Sequence, residues 1–283
     1  MDLERLRTHI RSSGLRRVEE QILGLVRPCL LLNLSAGDEL PVGSTKIGGS
    51  PDLPEGLAWP TWGGTPLAFV AQVNCAELRD SSIAGELPPL GLLAFFYDAE
   101  QSTWGIGLDE VGSWRTHFIE AVEASPLERR ALPEELPDHG RYREWCVEFE
   151  ESLTLPGWET QQVSSLGLKP REKDLYFELT EEVTGEGPRH KILGHPEKGQ
   201  GDMQLDCQLA AHGVYLESPE AYTSSRAREL APGSTDWRLL LQIDSEERVR
   251  MKGEPWERIY FWIRENDLVH RNFESTWMIH QSG

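Results

Sequence analysis

The chain has 283 residues, 39% of them hydrophobic and 27% charged, with a formal net charge of -19. That length supports a substantial core, and the composition is ordinary for a globular protein. The excess of acid argues against a nucleic-acid partner, since phosphate binding needs clustered Lys and Arg, and no stretch approaches the roughly 18 apolar residues of a membrane span.

Residues 2–26 read as helix: Leu15, Val18, Ile22 and Val26 share one face, and Leu3, Leu6 and Ile10 form an earlier stripe before Gly14. Pro28 ends it, and 29–34 reads as a short buried strand. Residues 35–66 are rich in Gly and Pro and fit no periodic element; so long a loop lines a site or caps a core. Trp59 and Trp62 within it either plug the loop onto the core or stack on a ligand. Strands are predicted at 67–73, 92–97, 104–108, 114–119 and 145–149. Helices follow at 168–183, with Pro170 in the first turn, and at 218–230, ending near Pro232 and Gly233. The last strands fall at 237–243, 259–263 and 277–279.

The first residues, MDLERLRTHI, mix both charges and lack the apolar core of a secretory signal. Cys29, Cys75, Cys146 and Cys207 are scattered with no CxxC pair, so reduced thiols and a cytoplasmic location are expected. Acid is unevenly spread: residues 120–186 hold 17 acidic and 7 basic side chains, a local -10. That excess is either a solvated face or a docking surface for a protein partner with a basic face.

Three pieces recur in order. Lys46-Ile47-Gly48-Gly49-Ser50-Pro51 matches Lys191-Ile192-Leu193-Gly194-His195-Pro196. Phe69-Val70-Ala71-Gln72-Val73-Asn74 matches Leu239-Leu240-Leu241-Gln242-Ile243-Asp244, and Leu93-Ala94-Phe95-Phe96 matches Ile259-Tyr260-Phe261-Trp262. The fold class expected is therefore α+β: a β-rich body built from two degenerate repeats, about 28–120 and 145–283, with flanking helices in one compact domain over 1–283.

KIGGSPDLPEGLAWP, PLAFVAQVNCAEL and LPPLGLLAFFYD, with the later HKILGHPEKGQGDMQ, LLLQID and IYFWI, resemble the YwqG-like family, known as the DUF1963 domain. The resemblance covers most of the chain. It implies the fold, and no activity, cofactor or site residue, because the family is defined by sequence and fold alone.

No motif carries chemistry outright. Residues 43–46 lack the order of a phosphate loop, Glu110 stands where a dinucleotide loop would place its third glycine, and there is no GxSxG elbow. His190, His195, Cys207 and His212 have no zinc spacing, so no metal and no cofactor are expected. Gln72 and Gln242 each sit near the end of an apolar run, where a buried amide must find partners for its oxygen and its amino group. Lys46 and Lys191 are the one repeated cation, either anion-binding or structural. The expected function is a cytoplasmic, non-catalytic binding or protein-interaction module. The alternative is a small-molecule binder or enzyme with its site between the repeats, lined by Lys46, Trp59, Gln72, Lys191, His195 and Gln242.

Overall fold

The computed structural model describes residues 2–35, 40–120, 126–185, 187, 189–197, 201–249, 251 and 257–282. Parts of the predicted 35–66 loop (36–39), of the acid-rich stretch (121–125 and 186) and of the His190–His212 segment (198–200) lie outside them.

The strands, in chain order, are β1 (Arg27–Ser35), β2 (Lys46–Ile47), β3 (Asp52–Pro54), β4 (Thr61–Trp62), β5 (Thr65–Pro66), β6 (Ala68–Asn74), β7 (Leu92–Tyr97), β8 (Trp114–Ile119), β9 (Leu127–Arg129), β10 (Trp145–Thr154), β11 (Lys191–Ile192), β12 (Trp237–Asp244), β13 (Arg258–Arg264) and β14 (Trp277–Gln281). Ten of them make one sheet in the order β14-β13-β12-β11-β1-β10-β2-β6-β7-β8, with every pairing antiparallel. Its edges curl toward each other until Trp114 Nε1 donates to Thr276 O (2.8 Å) and Thr276 Oγ1 to Thr116 Oγ1 (2.9 Å), so the sheet almost closes into a barrel. Closure shields the row of unpaired backbone groups that an open edge strand would present.

The arrangement about the centre is symmetric. β1 lies against β11 and β10 against β2, so the first strand of each half hydrogen-bonds the other half's Lys-Ile strand. The central β1–β10 pairing maps onto itself under that exchange: Leu31 faces Glu150, and Cys146 faces Ser35. Lys46 is in register with Gln72, and Lys191 with Gln242. A bulge interrupts β6 at Phe69/Ala71 opposite Phe96 and Phe95, and the same bulge interrupts β12 at Leu239/Leu241 opposite Trp262 and Phe261. After each Lys-Ile strand two residues take left-handed backbone, Gly48 and Gly49 (φ 68 and 76), then Leu193 and Gly194 (φ 58 and 77). Gly194 has no freedom to change, because a Cβ there would stand 2.7 Å from both Cys29 Cβ and Thr154 Oγ1.

The main core fills the inside of the sheet and takes side chains from both halves, which meet where Phe95 and Phe261 pack edge to face at 5.0 Å. Each such buried ring contributes roughly 1.5–3 kcal/mol. Of the eight helices among the described residues, α1 (Leu3–Ser12), α2 (Glu19–Leu23) and α4 (Pro170–Thr184) build a second core through Leu6, Ile10, Ile22, Tyr176 and Leu179. A third small cluster joins Leu53, Leu67, Phe69, Ala94 and Phe96 under Trp59, beside the β3–β9 pair and the β4–β5 hairpin. The remaining helices are α3 (Gln161–Ser164), α5 (Met203–Ala210), α6 (Pro219–Thr223), α7 (Ser225–Leu230) and α8 (Glu265–Val269).

Several sequence expectations need correction. The helix predicted over 2–26 breaks at Gly14 (φ 88), and Pro28 sits inside β1 rather than at a helix end. The loop predicted over 35–66 contains four very short strands, each with a partner distant in sequence or in a tight hairpin. Residues 104–108 are not a strand, because Gly105 takes left-handed backbone (φ 78) and the chain runs on into a 3-10 turn at Leu108–Glu110. The helix predicted over 218–230 is split at Ser224, whose extended backbone caps α7 instead of continuing α6.

Candidate functional site

Both repeated Lys–Gln pairs are buried and engaged. In the first half Lys46, fully enclosed, donates to Ser50 O and to Glu144 Oε2 (2.9 Å), with Asp52 Oδ2 at 3.7 Å. Gln72 accepts from Asp52 N (2.9 Å) and donates to Ser44 O and Asp52 Oδ2 (both 2.7 Å). Burial would raise the Asp52 carboxyl, but Arg129 Nε (2.9 Å), the Gly43 N–H and Gln72 hold it below the usual carboxylate range. The second half repeats the plan. Lys191 Nζ donates to Glu197 Oε1 (2.6 Å), while Gln242 accepts from Glu197 N (2.8 Å) and donates to Arg189 O (2.8 Å). Asp52 and Glu197 each stand six residues after their lysine.

The halves part at that carboxylate. Asp52 has both oxygens bonded, whereas Glu197, only 6% exposed, has an Oε2 with no hydrogen-bond partner among the described residues. Glu197 lines a cleft of ≈ 80 Å³. Trp262 of β13 lines it too, 2% exposed and with its indole N–H equally unpartnered. The walls are the turn after β10 with Trp158, the C-terminal end of α4, the turn after β11 and the first turn of α5. Four lining side chains are acidic, Glu159, Glu181, Glu197 and Asp202, and none among the described lining residues is Lys or Arg. Asp202 caps α5 through Gln204 N and Leu205 N and accepts from Gln161 N. Its carboxyl is nevertheless pushed up by burial, ahead of those stabilising N–H groups.

His195 forms the back of this cleft. Its Nε2 is 2.8 Å from Leu25 O, so that nitrogen carries the proton and donates, and Nδ1 is left as an acceptor. Burial, reinforced by the positive charge of Arg27, pulls its pKa down to about 3. The imidazole is neutral at physiological pH. A smaller pocket on the other side of the His195–Glu197 turn is lined by Arg189 and Lys191.

The six residues singled out from sequence do not converge. Lys46 with Gln72 and Lys191 with Gln242 lie on strands separated by β10 and β1. Trp59 donates to Leu67 O (2.9 Å) and packs its ring on Phe96. Only His195 lines the large cleft, joined by Lys191 at the smaller pocket. Sequence reasoning missed Glu197, Trp262 and Trp158. Extending the Lys-Ile match by one residue would have paired Pro51-Asp52 with Pro196-Glu197 and exposed the first of them. His190, His212 and Cys207 stay apart: His190 bonds Glu246 and the Asp244 N–H, His212 bonds Gln208 O, and Cys207 is enclosed in the core. No group of three metal-ligating side chains occurs among the described residues, and no described helix is long and apolar enough to cross a membrane.

No curated protein matches the chain. The model of a family described as a domain of unknown function, DUF1963, matches residues 45–282, and the chain belongs to that family.

Proposed function

We propose, for this member of a family whose description names no activity, a cytoplasmic binding module that performs no chemistry and holds a cationic group in the cleft beside α5. The observation that carries the reading is Glu197: a carboxylate 6% exposed, tied by one oxygen to Lys191, with the other oxygen unpartnered on the cleft. An unpaired buried polar atom costs roughly 1–3 kcal/mol, which a ligand donor at that position would recover. Four acidic side chains on the lining favour a cation over an anion. The lining imidazole is committed to Leu25 O and to the neutral state, which suits holding a ligand better than shuttling protons. Four free cysteines, three of them buried, fit a reducing compartment.

The body of this module is a duplicated β-rich unit in which the two copies exchange their first strands. The reading is supported by the matched Lys–Gln registers, the matched bulges and the reciprocal placement of β1 and β10. A partner protein with a basic face is the natural carrier of the cation, and a free small molecule is the other.

Trp158 and Trp262 report occupancy by fluorescence. Titration with small amines, guanidines, neutral amides and carboxylates should give a saturable change with the cations, which Glu197→Gln removes. Equal responses to carboxylates, or none to any cation, would end this reading.

A further inference from the structure

We propose that the cation the cleft accepts is a guanidinium group, free or on the arginine of a partner. This rests on the cation reading above and comes from comparing the two halves position by position. In the first half the carboxylate of Asp52 is forked by Arg129, Nε to Oδ1 at 2.9 Å and Nη2 to Oδ2 at 3.3 Å. The neighbouring Phe96 is covered by Trp59, ring centroids 5.5 Å apart and nearly perpendicular, and the Trp59 N–H is anchored on Leu67 O at 2.9 Å.

The second half has the same frame without the filling. Glu197 replaces Asp52, and Trp262 stands at the register of Phe96. Gln204, seven residues after Glu197 as Trp59 is seven after Asp52, donates its Nε2 to Trp237 O at 2.6 Å. Trp237 O is the carbonyl that corresponds to Leu67 O, since both precede Gln242 and Gln72 by five residues. Gln204 therefore keeps the hydrogen bond of Trp59 but not its indole, and the cleft opens where that ring would lie, with Gln204 on its lining. Among the described residues no arginine side chain bonds Glu197 as Arg129 bonds Asp52, and Oε2 has no partner.

What the second half lacks, compared with the first, is a planar fork of N–H donors on the carboxylate and a flat group against the aromatic ring. A guanidinium supplies both, because it is planar, always charged, bidentate toward carboxylates and apt to stack on indole. An ammonium supplies the charge alone. The unpartnered Trp262 N–H adds a requirement for an acceptor beside the cation, which the carbonyl oxygen of an arginine residue meets.

The test titrates the full chain with N-acetyl-argininamide, agmatine, the lysine analogue and the neutral citrulline analogue, read by tryptophan fluorescence and calorimetry. Arginine compounds should bind saturably and at least roughly tenfold tighter than the lysine analogue, the worth of about one charge-assisted hydrogen bond. Gln204→Trp should abolish binding by restoring the plug of the first half, and Trp262→Phe should weaken it even if the plug variant misfolds. N-acetyl-argininamide binding more tightly than agmatine would identify a partner's arginine as the source, and the reverse a free guanidine; either supports the proposal. Equal binding of lysine and arginine analogues overturns the guanidinium assignment while leaving a cation site. Equal binding of citrulline and arginine analogues, or binding of none, overturns both.

Discussion

Replacing each buried lysine by Met should separate the two halves energetically. Lys191 is 1% exposed, and its removal leaves Glu197 a buried carboxylate with neither oxygen paired among the described residues. Breaking a buried pair from one side costs about 3–5 kcal/mol. Lys46→Met leaves Asp52 still bonded to Arg129, Gly43 N and Gln72, and leaves Glu144, 31% exposed, in contact with water, so its cost should be about 1–3 kcal/mol. Unfolding entropy near 2.1 cal/mol/K per residue gives about 0.6 kcal/mol/K for 283 residues. Lys191→Met should then lower Tm by about 5–8 °C and Lys46→Met by about 2–5 °C. Thermal and urea melts at neutral pH measure both. Adding Glu197→Met to Lys191→Met removes the orphaned charge and should recover most of the loss. Equal losses for the two lysines, or a double variant no better than the single, would refute the reasoning.

Two buried titratable groups should tilt stability in opposite directions over one pH window. Burial pushes the Asp206 carboxyl up to about 7, so the stability it contributes is full below about 3.9 and lost as pH rises through about 7, near 1.4 kcal/mol per unit. His195, pulled down to about 3 by burial, contributes stability that is full above about 6.5 and lost as pH falls toward about 3. Asp206→Asn should therefore make the protein weaken on acidification from pH 6.5 to 4, and His195→Ser should make it strengthen; melts showing the same slope in both variants would contradict this. Gly105→Ala places a Cβ 1.8 Å from Met278 O at a φ of 78°, where the sheet edges meet, and should cost about 3 kcal/mol or more in urea unfolding. A loss under about 1 kcal/mol would mean that the seam between β8 and β14 tolerates displacement.

The strand over 92–97 was legible because its apolar residues run continuously, and the one from 145 because Trp145, Val147 and Phe149 alternate; the structure gives the same bounds for 92–97 and extends the other to Thr154. The sheet order was not. β2 and β11 are two residues long, too short to show any period, and the placement of β1 beside β11 is a long-range choice that no local pattern records. α5 escaped for a different reason. Met203, Gln204, Asp206, Cys207, Gln208, Leu209 and Ala210 are all buried, so the polar side chains of the helix face inward and no apolar stripe stands out against them. The recurrent Lys and Gln were legible as a pattern, but repetition marked what both halves need to hold their loops, not what one half does.

That distinction decides where function is to be sought. A side chain kept in both halves with the same hydrogen bonds, as Gln72 and Gln242 are, answers a demand of the shared backbone and is satisfied internally. Where the halves differ, that demand is met in only one of them. The pairs Asp52 and Glu197, Phe96 and Trp262, Trp59 and Gln204 differ together, at one spot, and the change leaves an acceptor and a donor unpaired on the same cleft. Each orphan costs roughly 1–3 kcal/mol of a total stability of about 5–15 kcal/mol. On the proposed reading, a guanidinium and its neighbouring carbonyl would recover that cost.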